Sequence, residues 1–451
     1  MSFLRMTGVH IPHYKNTADC VPVRLPVPDV VTIPMSMHIG APARAVVKAG
    51  DKVKVGQLIG EPGGFVSAPV HSSVSGTVKR VGSLLVSSGN QVQSVVIETD
   101  KKQEVWEGIA PPQVTDLQSF LDAVRASGAV GLGGAGFPTS VKLSVKDLSR
   151  IEAVIINGAE CEPYITSDTR TMLDDADYIM QGIEYLQKYL QAKRIIVAIE
   201  SNKPGCIKLY KERCAGRQGI EVHTLPSTYP QGGEKVLIYN TTGRIVPEGK
   251  LPIDAGAIVI NCTTLAFIAK YIETGMPLVE KCVTVDGSAI QKPRNVIAPI
   301  GTPLRSLLQF CEVEDEPVKL LYGGPMMGIA VPDPDQPVLK NTNAITALDE
   351  KDAVPPESTA CIKCGRCVAH CPMRLMPAMI ENAYNHKNDE ALEQLKVNLC
   401  MECGCCSYVC PAKRHLVMVN KLAKGRLRKY QAAKKAEAER KAAAAEEAKA
   451  K

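Results

Sequence analysis

At 451 residues the chain exceeds what a single hydrophobic core organises, and at roughly 150 residues per domain it calls for about three domains with smaller modules beside them. Hydrophobic residues make up 45% and charged residues 22%, with a mean hydropathy of −0.02; no run reaches the roughly 18 apolar residues of a membrane helix, which excludes a membrane-embedded bundle, and aromatics at 4% are too sparse for stacking nucleic-acid bases. The net charge of +6 sits in the tail, where residues 411–451 hold thirteen Lys and Arg against four Glu and leave the rest of the chain near neutrality.

The opening stretch MSFLRMTGVHIPHYK lacks the apolar run of a secretory signal. Residues 1–35 read as an N-terminal arm, and the setting expected is cytoplasmic and reducing. Over residues 36–100, Val- and Ile-rich runs alternate with Gly, Pro and Asp turns, as in AVVKAGDKVKVGQLIGE and SAPVHSSVSGTVKRV, which predicts short strands. The two halves are alike and resemble the barrel-sandwich fold of lipoyl and biotinyl carriers, whose modified lysine stands on the hairpin between the halves. Here that tip reads Glu61, Pro62, Gly63, Gly64, Phe65, so the module is expected to be structural.

Residues 101–250 read as an α/β domain. DLQSFLDAVRASGAV places Leu117, Phe120, Leu121 and Val124 at helical spacing. GLGGAGFPTSVKL follows at 131–143, with Gly131, Gly133 and Gly136 in a GxGxxG pattern. A dinucleotide fingerprint follows a strand; this one follows a helix, so the ordinary Rossmann reading fails. Its physical content survives: side chains are missing where backbone N–H groups can face a phosphate or a flavin ring, and Lys142 supplies positive charge. Then come a buried strand IEAVIING, a helix DDADYIMQGIEYLQKYL and a strand RIIVAIE, an alternation that implies parallel strands in an α/β layer.

Residues 251–335 read as the next domain. Within them CVTVDGSAIQKPRNVIAPIGTPLRSLLQF reads as a small sheet followed by a helix and resembles the β-grasp soluble-ligand-binding module, with a purely connective role as the alternative. VPDPDQPVLKNTN is expected to be a linker.

Of sixteen cysteines, seven scatter over residues 20–311 and nine crowd between Cys361 and Cys410, a density that in a reducing compartment means metal. Cys361, Cys364, Cys367 and Cys371 precede Pro372, and the same spacing recurs in Cys400, Cys403, Cys406 and Cys410 before Pro411. Three thiolates at this spacing converge on one four-iron cluster, and in two-cluster ferredoxins the fourth serves the other. The expected sets are Cys361, Cys364, Cys367 and Cys410 for one [4Fe–4S] centre, and Cys400, Cys403, Cys406 and Cys371 for the second. Structural zinc is the competing reading. Cys405 lies off register as a packed thiol, and His370 adjoins a ligand. Between the motifs a helix with Met376, Met379, Ile380, Ala383 and Tyr384 on one face looks like the helical ferredoxin module of respiratory iron–sulfur subunits. This module spans 350–415. The tail, 416–451, is an Ala/Lys/Glu-rich basic helix with Glu437 and Lys441 in favourable order; attraction to anionic lipid or an acidic partner is the alternative to plain solvation. The fold class is thus multidomain α/β and α+β.

GGAGFPTSVK and NGAECEPYITSDTR (157–170), with YPQGGEK (229–235) and INCTTL (260–265), resemble four loops of the flavin- and NADH-binding subunit of respiratory complex I, in the same order. The resemblance implies that Gly133, Gly134, Lys142, Asn157, Glu160, Gly232, Gly233, Asn261 and Thr264 surround FMN, and that Phe137, Glu162 and Glu234 face the nicotinamide nucleotide. Two positions depart from that family: Ala159 replaces an acidic residue and Val145 an aromatic used for adenine stacking. Together with VTIPMSMHIGAPARAVVKAGDKVKVGQLIGE near the N-terminus, the order of modules up to residue 415 resembles the RnfC family of Rnf electron transport complexes. That implies a peripheral subunit on the cytoplasmic face of a membrane complex, exchanging electrons between NADH and partner subunits that link ferredoxin to ion translocation.

The chemistry is consistent with that resemblance. Nicotinamide passes a hydride and an iron–sulfur cluster takes one electron, so a carrier that accepts two and releases one at a time lies between them, and a flavin does this. No catalytic side chain is required. The rival readings are a soluble cobalamin reductase of similar modules and a non-enzymatic iron–sulfur scaffold.

Overall fold

The computed structural model describes residues 8–87, 89–313 and 317–450, with side chains through residue 443. The chain divides into two units. One comprises Pro12–Ser227 and Glu234–Val354, and the other Met1–Ile11, Thr228–Gly233 and Pro355–Lys451.

The larger unit begins with a β-sandwich. Strands Val30–Pro34, Gln91–Thr99, Gly76–Leu85 and Lys52–Val53 lie in that order in one antiparallel sheet, and Arg44–Ala45, Leu58–Glu61 and Val70–His71 form another. Alternation drives it: Val31 and Ile33 are fully buried while Val30 is exposed, the period-2 pattern of a strand with one wet face. Val30–Pro34 pairs with Gln91–Thr99, so the sandwich starts earlier in the chain than residue 36, because its first strand supplies half of this ladder. The lysine-free tip is fastened by Arg125, which donates to the carbonyl of Gly64 at 2.9 Å.

Next comes a wholly parallel sheet of four strands in the order Ile220–Leu225, Ile195–Glu200, Ala153–Gly158, Ala257–Asn261. Successive residues go to opposite faces. Val154, Ile156, Val197 and Ile199 pack under helices Ala176–Tyr189 and Cys262–Thr274, and Ile155, Ile196 and Ala198 pack with Leu237 and Ile238 of helix Glu234–Thr242. Both faces are covered, hence the near-continuous apolar runs. Helix Leu117–Ala126 starts at a capping box between Asp116 and Ser119 and buries Phe120, Ala123 and Val124. The fourth strand and helix Cys262–Thr274 lie beyond the domain boundary expected at residue 250. They belong to the α/β layer because Ala257–Asn261 completes the ladder on Ala153–Gly158.

A mixed sheet follows in the order Val23–Arg24, Arg294–Pro299, Glu280–Asp286, Ala344–Leu348, Lys319–Tyr322, Ile329–Ala330, with helix Leu304–Phe310 packed on it. A first hairpin, a helix and a last strand running parallel into the middle of the sheet make the β-grasp topology. The segment expected as a linker is part of this module: Val331 and Val338 are buried in its core and Ala344–Leu348 is its central strand, so the Pro and Asp residues punctuate turns of the module.

In the smaller unit, helices Pro377–Asn385, Asp389–Gln394 and Leu416–Ala450 enclose Leu375, Ile380, Ala383, Leu392, Val397, Ala423 and Leu427. Met376 and Met379, expected on the packed face, are exposed, because the helix begins at Pro377 and its buried stripe runs through Ile380 and Ala383. The tail helix is not wholly solvated either, since its first turns bury Ala423 and Leu427. Glu437 and Lys441 pair at 2.6 Å.

Candidate functional site

In a doubly wound sheet, ligands bind beyond the carboxyl ends of the strands where the strand order reverses. Here the chain steps from Ala153–Gly158 outward through two strands, then returns to place Ala257–Asn261 on the other side of the first. The switch point therefore lies between those two strands, and Asn157 and Asn261 are register partners at its edge. Asn261 caps helix Cys262–Thr274, its side chain accepting from the Thr264 N–H at 3.1 Å, and the helix N-terminus contributes positive potential there.

The glycine-rich loop comes to this point. Leu132 N–H donates to Thr264 Oγ1 at 2.9 Å, and a Cβ on Gly133 would stand 2.4 Å from Asn261 Nδ2, so a side chain there would push Asn261 out of its place. A Cβ on Gly134 would meet nothing within 4 Å, which leaves its backbone open to a ligand, and Gly136 holds a φ of +68° that favours glycine. Phe137 closes the loop by accepting from Gly131 N–H at 2.9 Å. Gly133, Gly136, Asn157, Asn261 and Thr264 thus come together, and their glycine cradle fits a flat or anionic group.

Beneath them lies a residue the sequence did not single out. Asp168, buried in the first turn of helix Ser167–Asp174, accepts from Asn261 Nδ2 at 2.7 Å and from Thr263 Oγ1 at 2.6 Å. Glu160, at φ +48°, does not reach outward. Its carboxylate accepts from Asp168 N–H at 2.6 Å and from Thr169 N–H at 3.3 Å, and burial raises its pKa against the lowering influence of Lys15. Lys15 Nζ donates to the carbonyls of Glu160, Glu162 and Ile165 at 2.8, 2.9 and 2.6 Å, and burial lowers its pKa. Lys203 Nζ reaches the Ala159 carbonyl at 2.5 Å and Glu200 at 3.2 Å. Ala159 is fully buried, which gives a physical reason for the missing carboxylate: an acid there would be desolvated. Val145 packs against the α/β core and offers no stacking face.

Glu162 accepts from Met326 N–H of the β-grasp module at 3.0 Å. Lys142 Nζ bonds Glu234 at 2.8 Å and the Val259 carbonyl at 3.0 Å; this pair is a third or more exposed, so its weak attraction leaves the ammonium exchangeable. Gly232 and Gly233 fall in the smaller unit. A Cβ on Gly233 would strike Met401 Cε at 2.3 Å, placing this loop against the second cysteine motif.

In that unit a cavity is lined by five cysteines, Cys371, Cys400, Cys403, Cys405 and Cys406, with Pro372, Leu375, Val417 and Asn420. Burial, with Cys403 and Cys400 alongside, pushes the Cys371 thiol up, and burial next to Cys400, Cys403 and Cys371 takes Cys406 up to about 12. Asn420 Nδ2 donates to Cys400 Sγ at 3.6 Å. Of the other set, Cys367 has Cys361 and Cys364 as neighbours, and the guanidinium of Arg414 stands near Cys361 and Cys410. Among the described residues no three His, Cys, Asp or Glu groups close on a single ion; of the five thiols around the shared cavity Cys405 is turned to the Tyr229 carbonyl, and the other four suit a larger cluster. Lys363, Gly365 and Arg374 take positive φ and so do Glu402, Gly404 and Lys413, the same three positions in each motif. Cys405 is buried and points at the Tyr229 carbonyl, 3.8 Å away. His370 Nδ1 lies 3.0 Å from the Arg366 carbonyl.

Residues 4–102 match the RnfC barrel sandwich hybrid domain, 124–270 the Nuo51 FMN-binding domain and 355–411 the 4Fe-4S dicluster domain. The C-subunit of the proton-translocating ferredoxin:NAD(+) oxidoreductase complex of Clostridium ljungdahlii is 41% identical over 83% of this chain and 82% of its own. Its counterpart in the Na(+)-translocating complex of Acetobacterium woodii is 41% identical over 84% and 87%. The corresponding member of the ion-translocating oxidoreductase complex of Rhodobacter capsulatus is 38% identical over 86% and 76%. Among solved structures, an NAD+-reducing [NiFe]-hydrogenase in the air-oxidised state superposes with a TM-score of 0.50 at 18% identity, over 70% of this chain and 64% of that one, a likeness of fold. The identities and coverage make the relationship plain: the chain belongs to the RnfC family, the C-subunits of the ion-translocating ferredoxin:NAD(+) oxidoreductase, or Rnf, complexes.

Proposed function

We propose that this chain is the NADH-facing electron-transfer subunit of an Rnf-type complex, passing electrons between NAD(H), FMN and two [4Fe–4S] clusters in a machine that couples ferredoxin and NAD to ion translocation. The observation that carries the flavin assignment is the glycine loop seated on Asn261 and Thr264 at the switch point. Family membership over more than four fifths of the chain favours the complex over a soluble cobalamin reductase.

Flavin supplies the conversion between hydride and single-electron chemistry. Gly133, Gly134 and Gly136 present backbone to it, Asn157, Asn261 and Thr264 supply polar contacts beyond the strand ends, and Lys142 offsets negative charge. Glu160, turned inward onto helix Ser167–Asp174, shapes the loop from below. Phe137, Glu162 and Glu234 are assigned to the nucleotide side, and Gly232 and Gly233 to a loop that also meets the cysteine module. Cys361, Cys364, Cys367 and Cys410 hold one cluster and Cys371, Cys400, Cys403 and Cys406 the other. The modules are assigned as a sandwich from about residue 30 to 100, an α/β domain to about 275, a β-grasp module to about 350 and a cluster module with its helical tail beyond.

No helix among the described residues is long and apolar enough to cross a membrane. Attachment through partner subunits on the cytoplasmic face is the location we assign. Anaerobically prepared protein is expected to carry one FMN and iron for two four-iron clusters, and to show flavin bleaching and reduced-cluster paramagnetic signals on NADH addition. Zinc in place of iron, or a flavin that stays oxidised, refutes the reading.

A further inference from the structure

The β-grasp module has no role in the chemistry above, yet its donors hold the flavin loop. Lys340, fully buried, donates from Nζ to the Gly128 carbonyl at 2.8 Å and to the Pro69 carbonyl of the sandwich at 2.5 Å. The next residue, Asn341, donates from Nδ2 to the Gly134 carbonyl at 3.0 Å. Lys281 reaches the Leu132 carbonyl at 3.4 Å, and Ile39 N–H of the sandwich donates to the Gly136 carbonyl at 3.1 Å. Alternate carbonyls of the loop, at 132, 134 and 136, are therefore each drawn outward by a donor from another module.

Across a trans peptide the carbonyl of one residue and the N–H of the next point in opposite directions, and the peptide bonds of this loop are trans. Fixing carbonyls 132, 134 and 136 thus turns the N–H groups of Gly133, Ala135 and Phe137 away from those donors. Backbone N–H groups of a turn that are left open to a ligand make an anion-binding site. Glycines left to themselves sample many backbone states, so these N–H groups keep their directions only while the carbonyls are held.

We propose that Asn341, with Lys340 and Lys281, is a positioning residue that sets the backbone of the flavin loop, and that the β-grasp module serves this site as an external clamp. The inference rests on the flavin reading. None of the three residues need touch the flavin.

The decisive variants are at Asn341, which is part-exposed, so that its replacement spares the core. Asn341→Ala removes the donor; Asn341→Asp keeps the size but presents only acceptors at neutral pH; Asn341→Gln restores an amide. FMN is titrated into flavin-free protein that retains its clusters, followed by quenching of flavin fluorescence, with thermal unfolding and iron content measured in parallel. Loss of one such hydrogen bond is expected to weaken FMN binding about tenfold in the Ala and Asp variants. Binding should recover in the Gln variant, while unfolding temperature and iron match the parent. If the Ala and Asp variants bind FMN as the parent does, the clamp is refuted. If the Ala variant is weakened and Asp is not, shape rather than donation acts and the proposal again fails. A parent that keeps its iron but takes up no FMN overturns the flavin reading, and the clamp with it.

Discussion

Lys340 shows how much a single buried group contributes. Its ammonium lies among carbonyls, with His71 and His38 facing it, and burial takes its pKa from 10.5 down to about 7. Burial first, then the charge of Lys340, takes His71 down to about 3 and lowers His38 as well. The folded-state value lies below the unfolded one. Between about pH 7 and 10 the unfolded chain therefore binds the additional proton, and the contribution of this group to stability rises with pH through that window and is least below it. Lys340→Met is expected to flatten the pH dependence of the urea midpoint between about pH 7 and 10 relative to the parent, besides lowering overall stability by about 1–3 kcal/mol through two orphaned carbonyls. A difference in midpoint between the two proteins that stays constant across that range would refute the assignment. Nothing near VLKNTN marked this lysine, because its partners lie at Pro69 and Gly128.

At the scale of elements, the two cysteine motifs fold as copies. Each puts left-handed residues at the same three positions and a short helical turn, Arg366–Ala369 or Cys405–Tyr408, after its second cysteine. Cys371 of the first copy lines the cavity of Cys400, Cys403 and Cys406 in the second, which is the arrangement that the proposed exchange of last ligands requires. Cys371→Ser is accordingly expected to abolish the same reduced-cluster paramagnetic signal as Cys403→Ser and to halve the iron, while Cys410→Ser abolishes the other signal. Loss of a common signal in the Cys371 and Cys367 variants would exclude crossed ligation. The spacing of these thiols was readable because it is a property of a short stretch of chain. The depth of the tail helix in its own module was not: KLAKGRLRKY is polar in composition, and only the partners Ile380 and Leu392 show that Ala423 and Leu427 face inward.

At the scale of the whole molecule, no helix among the described residues is long and apolar enough to cross a membrane, and the peripheral attachment proposed above has a direct consequence. Alkaline carbonate is expected to release the chain from native membranes, and persistence in the pellet beside integral subunits would refute peripheral attachment. The local sequence determined the modules' identities. The alternating strands, the helix before the glycine loop, the parallel α/β run and the paired cysteine motifs each carry a periodicity or spacing set within one short stretch of chain, so their patterns were legible. Only the tertiary structure decided what the modules do for one another. Asp168 beneath Asn261, Lys15 on the carbonyls of Glu160, Glu162 and Ile165, and Asn341 on Gly134 join residues far apart in sequence, and a hydrogen bond between distant segments leaves no periodicity in either of them.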